Sequence, residues 1–155
     1  MERAIAVNVP GLRWEAGAPE PVLFATEHRT LFAFYADVRD VVDGSEIQTA
    51  EFVGCTAVKF GFPNDEALHG HPLWGVGLGF YAVHQVEDST WLKEVRTIQS
   101  VHPRSLPTPF ADAKHFILTF HDSTLEAIAR GVAALDTYSS INEATSAMTK
   151  ILYSA

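Results

Sequence analysis

The sequence predicts an α+β fold, a predominantly antiparallel β-sheet (a half-barrel or sandwich-like meander) with short C-terminal helices. Three observations predict it. Period-two alternation runs through Phe52–Phe62 and again through Trp74–Val86. Two helix-start patterns, Ser123-Thr124-Leu125-Glu126 and Ser140-Ile141-Asn142-Glu143, come only near the end. Hydrophobic residues make up 47% and charged residues 19%, the balance of a chain with a packed core. Its 155 residues suit one domain. Within residues 1–155 the reading is an extended N-terminal arm over 1–21, an antiparallel sheet over 22–121 and a helical segment over 122–155.

The arm is punctuated by Pro10, Gly11, Gly17, Pro19 and Pro21. Val22–Thr26 and Thr30–Tyr35 flank the polar Glu27-His28-Arg29, the pattern of a hairpin. Residues 37–49 are polar, with a turn at Asp43-Gly44-Ser45. Next comes the long strand Phe52–Phe62, bent near its glycines and ended by Pro63-Asn64-Asp65. The alternation then predicts a strand over 74–87 and a returning strand over Trp91–Val101. Pro103, Pro107 and Pro109 make 102–113 a loop or an edge. Lys114–Phe120 is a further strand. A short helix is expected from Ser123 to Gly131, and a second after Ser140, where Ile141, Ala144, Met148, Ile151 and Leu152 recur at helical spacing.

The formal net charge is -8, and no two of the eleven basic residues are adjacent. Nucleic acid is therefore not expected as a partner, because backbone binding needs clustered Lys and Arg. No apolar run approaches the roughly eighteen residues of a membrane span, so no membrane partner is expected either. The apolar stretch at the N-terminus stops at Pro10, and the lone Cys55 has no partner for an internal disulfide, so the expected compartment is cytoplasmic. Ten phenylalanines, four tyrosines and three tryptophans leave more aromatic surface than one core needs, which points to a homo-oligomer.

Three glycines, Gly75, Gly77 and Gly79, share one face of the expected 74–87 strand. Such a stripe wants a reason: curvature, or close approach by a backbone, an aromatic ring or a ligand. The spacing is not that of a dinucleotide fingerprint, since a strand continues where a helix should open.

Chemistry concentrates in two segments. In Asp65-Glu66-Ala67-Leu68-His69-Gly70-His71-Pro72, Pro72 biases His71 toward extended backbone. An extended His69 would then project to the same side, as in two-histidine metal sites. Cupins share such a His-x-His but place a glutamate ligand three or four residues on, where Gly75 and Val76 stand here. No third ligand is identifiable, so no metal or other cofactor is expected, with His69 and His71 the place for one.

In the second segment, His115–Ser123, Phe116, Leu118 and Phe120 face the core, while His115, Ile117, Thr119 and His121 face away. Asp122 or Ser123 can cap the helix expected beyond. Histidine exchanges protons near neutral pH, and a neighbouring carboxylate can orient its ring. The candidate catalytic residues are therefore His71, His121, Asp65 and Glu66, and the candidate binding residues His69, His115, Thr119 and Asp122. A site is expected where the 69–71 loop meets the 115–121 strand. The function this supports is general acid–base chemistry on a small molecule. The alternatives are a non-catalytic ligand-binding module or a homo-oligomeric structural subunit.

Overall fold

A computed structural model describes residues 1–15, 20–36, 46–106 and 110–154. Among the described residues, nine strands form two antiparallel sheets. One has the order β1 (Arg3–Ala6), β6 (Val83–Glu87), β7 (Lys114–Thr119), β8 (Thr124–Ala129), β5 (Ala57–Gly61). The other has the order β2 (Val22–Ala25), β3 (Thr30–Tyr35), β4 (Ile47–Val53), β9 (Gly131–Tyr138). The helices are α1 (Thr90–Ser100) and α2 (Ile141–Tyr153), and a 3-10 turn spans Asp65–Gly70. The predicted α+β class with a C-terminal helix is what the chain adopts. No helix among the described residues is long and apolar enough to cross a membrane.

The two sheets face each other across one core. Phe32, Phe34 and Phe52 come from one side, and Phe116, Leu118, Phe120 and Leu125 from the other, all buried. Alternation does the sorting: in β3, Phe32 and Phe34 point inward while Leu31 and Ala33 point outward under Ala144 and Met148 of α2. The outer face of the five-stranded sheet is also covered. Leu68, Leu73 and Leu78 lie on Ala4, Val86 and Ile117, and Leu92 of α1 lies near Ile128.

Several elements depart from the sequence reading. The stretch 52–62 is two strands in different sheets, because Gly54, at φ +60, turns the chain from β4 to β5. Residues 74–82 form turns with one isolated bridge, Trp74–Leu78, and the strand starts only at Val83. The close backbone approach expected of the glycine stripe occurs at Gly77, where a Cβ would lie 1.9 Å from the Ala4 carbonyl oxygen. Residues 91–100 belong to the helix α1, with Val101 as its C-cap. Ser89 caps it by accepting from Leu92 N at 3.0 Å, and Trp91, Leu92 and Val95 sit at helical spacing against the sheet.

Residues 123–131 reverse the error. Ser123-Thr124-Leu125-Glu126 imitates a capping box, but Leu125, Ala127 and Ala129 alternate into the core, so the segment is β8. Gly131 opens β9 instead of stopping a helix, and the predicted helical segment 122–155 holds two strands before α2. The N-terminal arm contributes a strand, β1, paired with β6 from Arg3↔Glu87 to Ala6↔His84. The turn expected at Asp43-Gly44-Ser45, like Pro107 and Pro109, lies outside the described residues.

Candidate functional site

The side of β7 that carries His115, Ile117 and Thr119 is the one the sequence turns away from the core, as too polar for a second buried face. It is buried instead: His115, Ile117 and Thr119 are each at most 3% exposed, under α1 and the 65–80 segment. Polar groups in such a place must find partners, and the partners define the site.

Glu126 projects from β8 onto this face. The turn Asp65–Gly70 starts at Asn64, whose side chain accepts from Ala67 N at 3.1 Å, and delivers His71 in extended geometry beside it. The His71 Nε2 lies 3.3 Å from Glu126 Oε2, and the His115 Nε2 lies 2.8 Å from Glu126 Oε1. One carboxylate thus receives two imidazoles, one on each oxygen. The far nitrogens are engaged too. Leu73 N donates to His71 Nδ1 at 3.1 Å, which leaves the ring proton on Nε2 for Glu126. Ser89 Oγ, already accepting from Leu92 N, gives its own proton to His115 Nδ1 at 2.8 Å. The Trp91 and His115 rings stand nearly perpendicular, with centroids 5.1 Å apart.

Burial alone would push the Glu126 carboxyl up; the hydrogen bonds from His115 and His71, with the charges these can carry, more than offset it and hold it at about 2. The group lies at the floor of a cleft of about 500 Å³, whose walls include Lys59, Pro72, Leu73, Trp91 and Glu94. That volume falls within the roughly 300–1,000 Å³ usual for small-molecule pockets.

A second cluster forms at the other end of β7. Tyr81 OH donates to Asp65 Oδ2 at 2.5 Å, and His121 Nε2 lies 3.6 Å from the same oxygen. His121 Nδ1 is 3.0 Å from Asp122 Oδ1. Adjacent strand residues point apart, but β7 ends at Thr119, and the bend beyond lets this pair meet. The hydrogen bond to Asp122, then the charges of Asp65 and Asp122, raise the His121 pKa, whereas the hydrogen bond to Asp65 is the main cause that raises Tyr81. His121 is exposed, so this shift is expected as a proton NMR titration midpoint above about 6.5 that falls back in Asp122→Asn. Because the folded pKa is the higher one, the contribution to stability is present below the unfolded value and lost as pH rises through the folded one. An unshifted midpoint would show that the Asp122 contact does not persist in solution.

The expected site residues therefore divide. Asp65, His121 and Asp122 meet at one end, and His71 and His115 at the other. At about 3.3 Å per residue, the strand from His115 to Thr119 alone spans roughly 13 Å, and His121 lies beyond its end. One small ligand does not touch both. Thr119 is buried, and its hydroxyl is spent on Gly79 O at 2.9 Å and on the Ala82 backbone. Glu66 and His69 are exposed and line a hollow of about 480 Å³ with Phe62 and Pro63. His69 sits in the 3-10 turn, so the extended pairing with His71 that a shared metal would need is not formed. Among the described residues, no group of three or more His, Cys, Asp or Glu is arranged to hold a metal ion.

Sequence reasoning missed Glu126, Trp91, Ser89, Lys59 and Tyr81. Glu126 was hidden by the imitation capping box; its signal was an acid in the alternating run Leu125-Glu126-Ala127-Ile128-Ala129. His84 is also engaged: it is buried, with Nδ1 donating to Ile117 O at 3.1 Å and Nε2 accepting from Gly79 N at 3.0 Å. Burial lowers its pKa, and it holds the 79–84 segment together. Comparison with protein-family models, with curated proteins and with solved structures finds no match to this chain.

Proposed function

We propose that the protein is an enzyme that binds a small molecule in the cleft above Glu126 and moves a proton on it through the His71–Glu126–His115 group. The observation that carries the reading is the single carboxylate receiving an imidazole on each oxygen at a cleft floor. Each Glu126 oxygen keeps a lone pair for a donor on the ligand. A proton arriving at this group has one inexpensive resting place. His71 Nδ1 takes it only by breaking the Leu73 bond, whereas His115 Nδ1 takes it when the Ser89 hydroxyl rotates to accept. His115 is accordingly the relay, and Glu126 the fixed acceptor that anchors the donor.

A second reading, a non-catalytic binding module, is favoured by the same low carboxyl pKa, which makes Glu126 a strong anchor and a weak base. Pooled metabolites incubated with the protein and followed by mass spectrometry separate the two. Consumption of one compound is expected, reduced at least about a hundredfold in His115→Asn and Glu126→Gln and unchanged in His121→Ala. Binding without consumption establishes the module instead. Compounds that bind wild type and Glu126→Gln equally well overturn both readings.

A further inference from the structure

We infer that the ligand of this cleft is a small organic cation, a protonated amine or guanidinium, that takes the place the Lys59 ammonium holds over the Trp91 indole. The inference rests on the cleft being the functional site. Lys59 stands directly opposite Glu126 in the β5–β8 ladder, where a cross-strand ion pair is the ordinary outcome. No such pair forms. The Glu126 oxygens are taken by the two histidines, and the Lys59 Nζ rests 4.0 Å from the Trp91 ring centroid.

An exposed ammonium on a flexible stem is weakly held in this way, by about 0.5–1 kcal/mol. The ring face is thus a cation site whose present occupant is tethered, hydrated and easily displaced. The walls favour a replacement of the same sign. Glu2, Glu94 and Glu126 line the cleft with Lys59 as the one lysine or arginine among the described lining residues, in a chain of net charge -8. Glu2 is spent on the start of α1, accepting from Thr90 N at 2.8 Å and Thr90 Oγ1 at 3.0 Å. Glu94, one helical turn on from Thr90, remains for a ligand. A cation over Trp91 meets the ring face in a cleft whose walls also carry Glu94 and the spare lone pairs of Glu126, within reach of a second donor group on the same ligand. An anion meets the same carboxylates with only Lys59 to receive it.

Isothermal titration tests this with three probes: agmatine, which carries an ammonium and a guanidinium; tetramethylammonium, which has charge but no N–H donors; and inorganic phosphate. Agmatine is expected to bind most tightly. Lys59→Met, which keeps the stem and removes the competing charge, should tighten agmatine about two- to fivefold. Glu94→Gln should weaken it about tenfold or more. Both positions are exposed, and circular dichroism checks that each variant is folded. Phosphate binding that is lost in Lys59→Met overturns the proposal, as does agmatine binding that neither substitution changes or a failure of agmatine to bind at all. If agmatine fails while phosphate or a neutral metabolite binds in a Glu126-dependent way, the cleft stands as the site and only the cationic class falls. If Glu126→Gln alters the binding of nothing, the site falls as well.

Discussion

Glu126→Ala is expected to destabilise the protein by about 3–5 kcal/mol at neutral pH, because it leaves two largely buried imidazole N–H groups without their acceptor. The wild type should report the same group through its pH dependence. A carboxyl held at about 2 contributes stability that is fully present above the usual carboxylate range and is lost as pH falls through 2. The Glu126 side chain is only 14% exposed, so the depression converts to about 3 kcal/mol at 1.36 kcal/mol per pKa unit. Urea denaturation from pH 7 down to pH 2 should show that loss in the wild type and little of it in Glu126→Gln. A Glu126→Ala variant within about 1 kcal/mol of wild type would mean that the histidine bridges are not made in solution.

Phe120→Ala should cost about as much, 3–5 kcal/mol, for a different reason. Phe120 is 1% exposed between the sheets, with the Trp14 ring 4.9 Å away and Trp14 in turn 5.1 Å from Phe34. Removing the ring opens a void that two hydrogen-bonded sheets cannot close by collapsing. Trp14 comes from the N-terminal arm, so its fluorescence should report the loosening directly. Against a typical stability of about 5–15 kcal/mol, the variant is marginal near body temperature. A chemical-denaturation loss below about 1 kcal/mol would place this β7 face outside the interior.

Much of the fold was legible because alternation is a local property. The β2–β3 hairpin, β7 with its inward Phe116 and Leu118 and with Phe120 just past its end, and α2 behind Ser140 all follow from spacing alone. The failures share a cause: short segments in which two periods coexist. Trp91–Val101 satisfies period two loosely and 3.6 better, and the Ser89 cap decides for the helix. Ser123–Gly131 carries a convincing helix start, yet the pairing of Leu125 with Leu118 and of Ile128 with His115 overrides it. The site was half visible. His71 and His115 were recognised as chemistry-bearing residues, but their shared partner depended on β8 being a strand. The sequence also offered no means of seeing that β7 parts His115 from His121 instead of joining them.

The crossings between the sheets bear on how the chain reaches this state. The β4–β5 and β8–β9 corners are tied together by the Arg130 N to Val53 O bond at 2.8 Å, and β4 completes its ladder only with β9, from Val53↔Gly131 to Ile47↔Tyr138. Likewise β1 waits some eighty residues for β6. Contacts of such sequence separation make folding slow, since loop closure must be met before the pairing rewards it. On the ribosome, a nascent chain that has released both histidines of the site still lacks Glu126, and for a time it carries two incomplete sheets with open edges. The cleft is therefore assembled late, by the C-terminal third of the chain closing onto what was made before it.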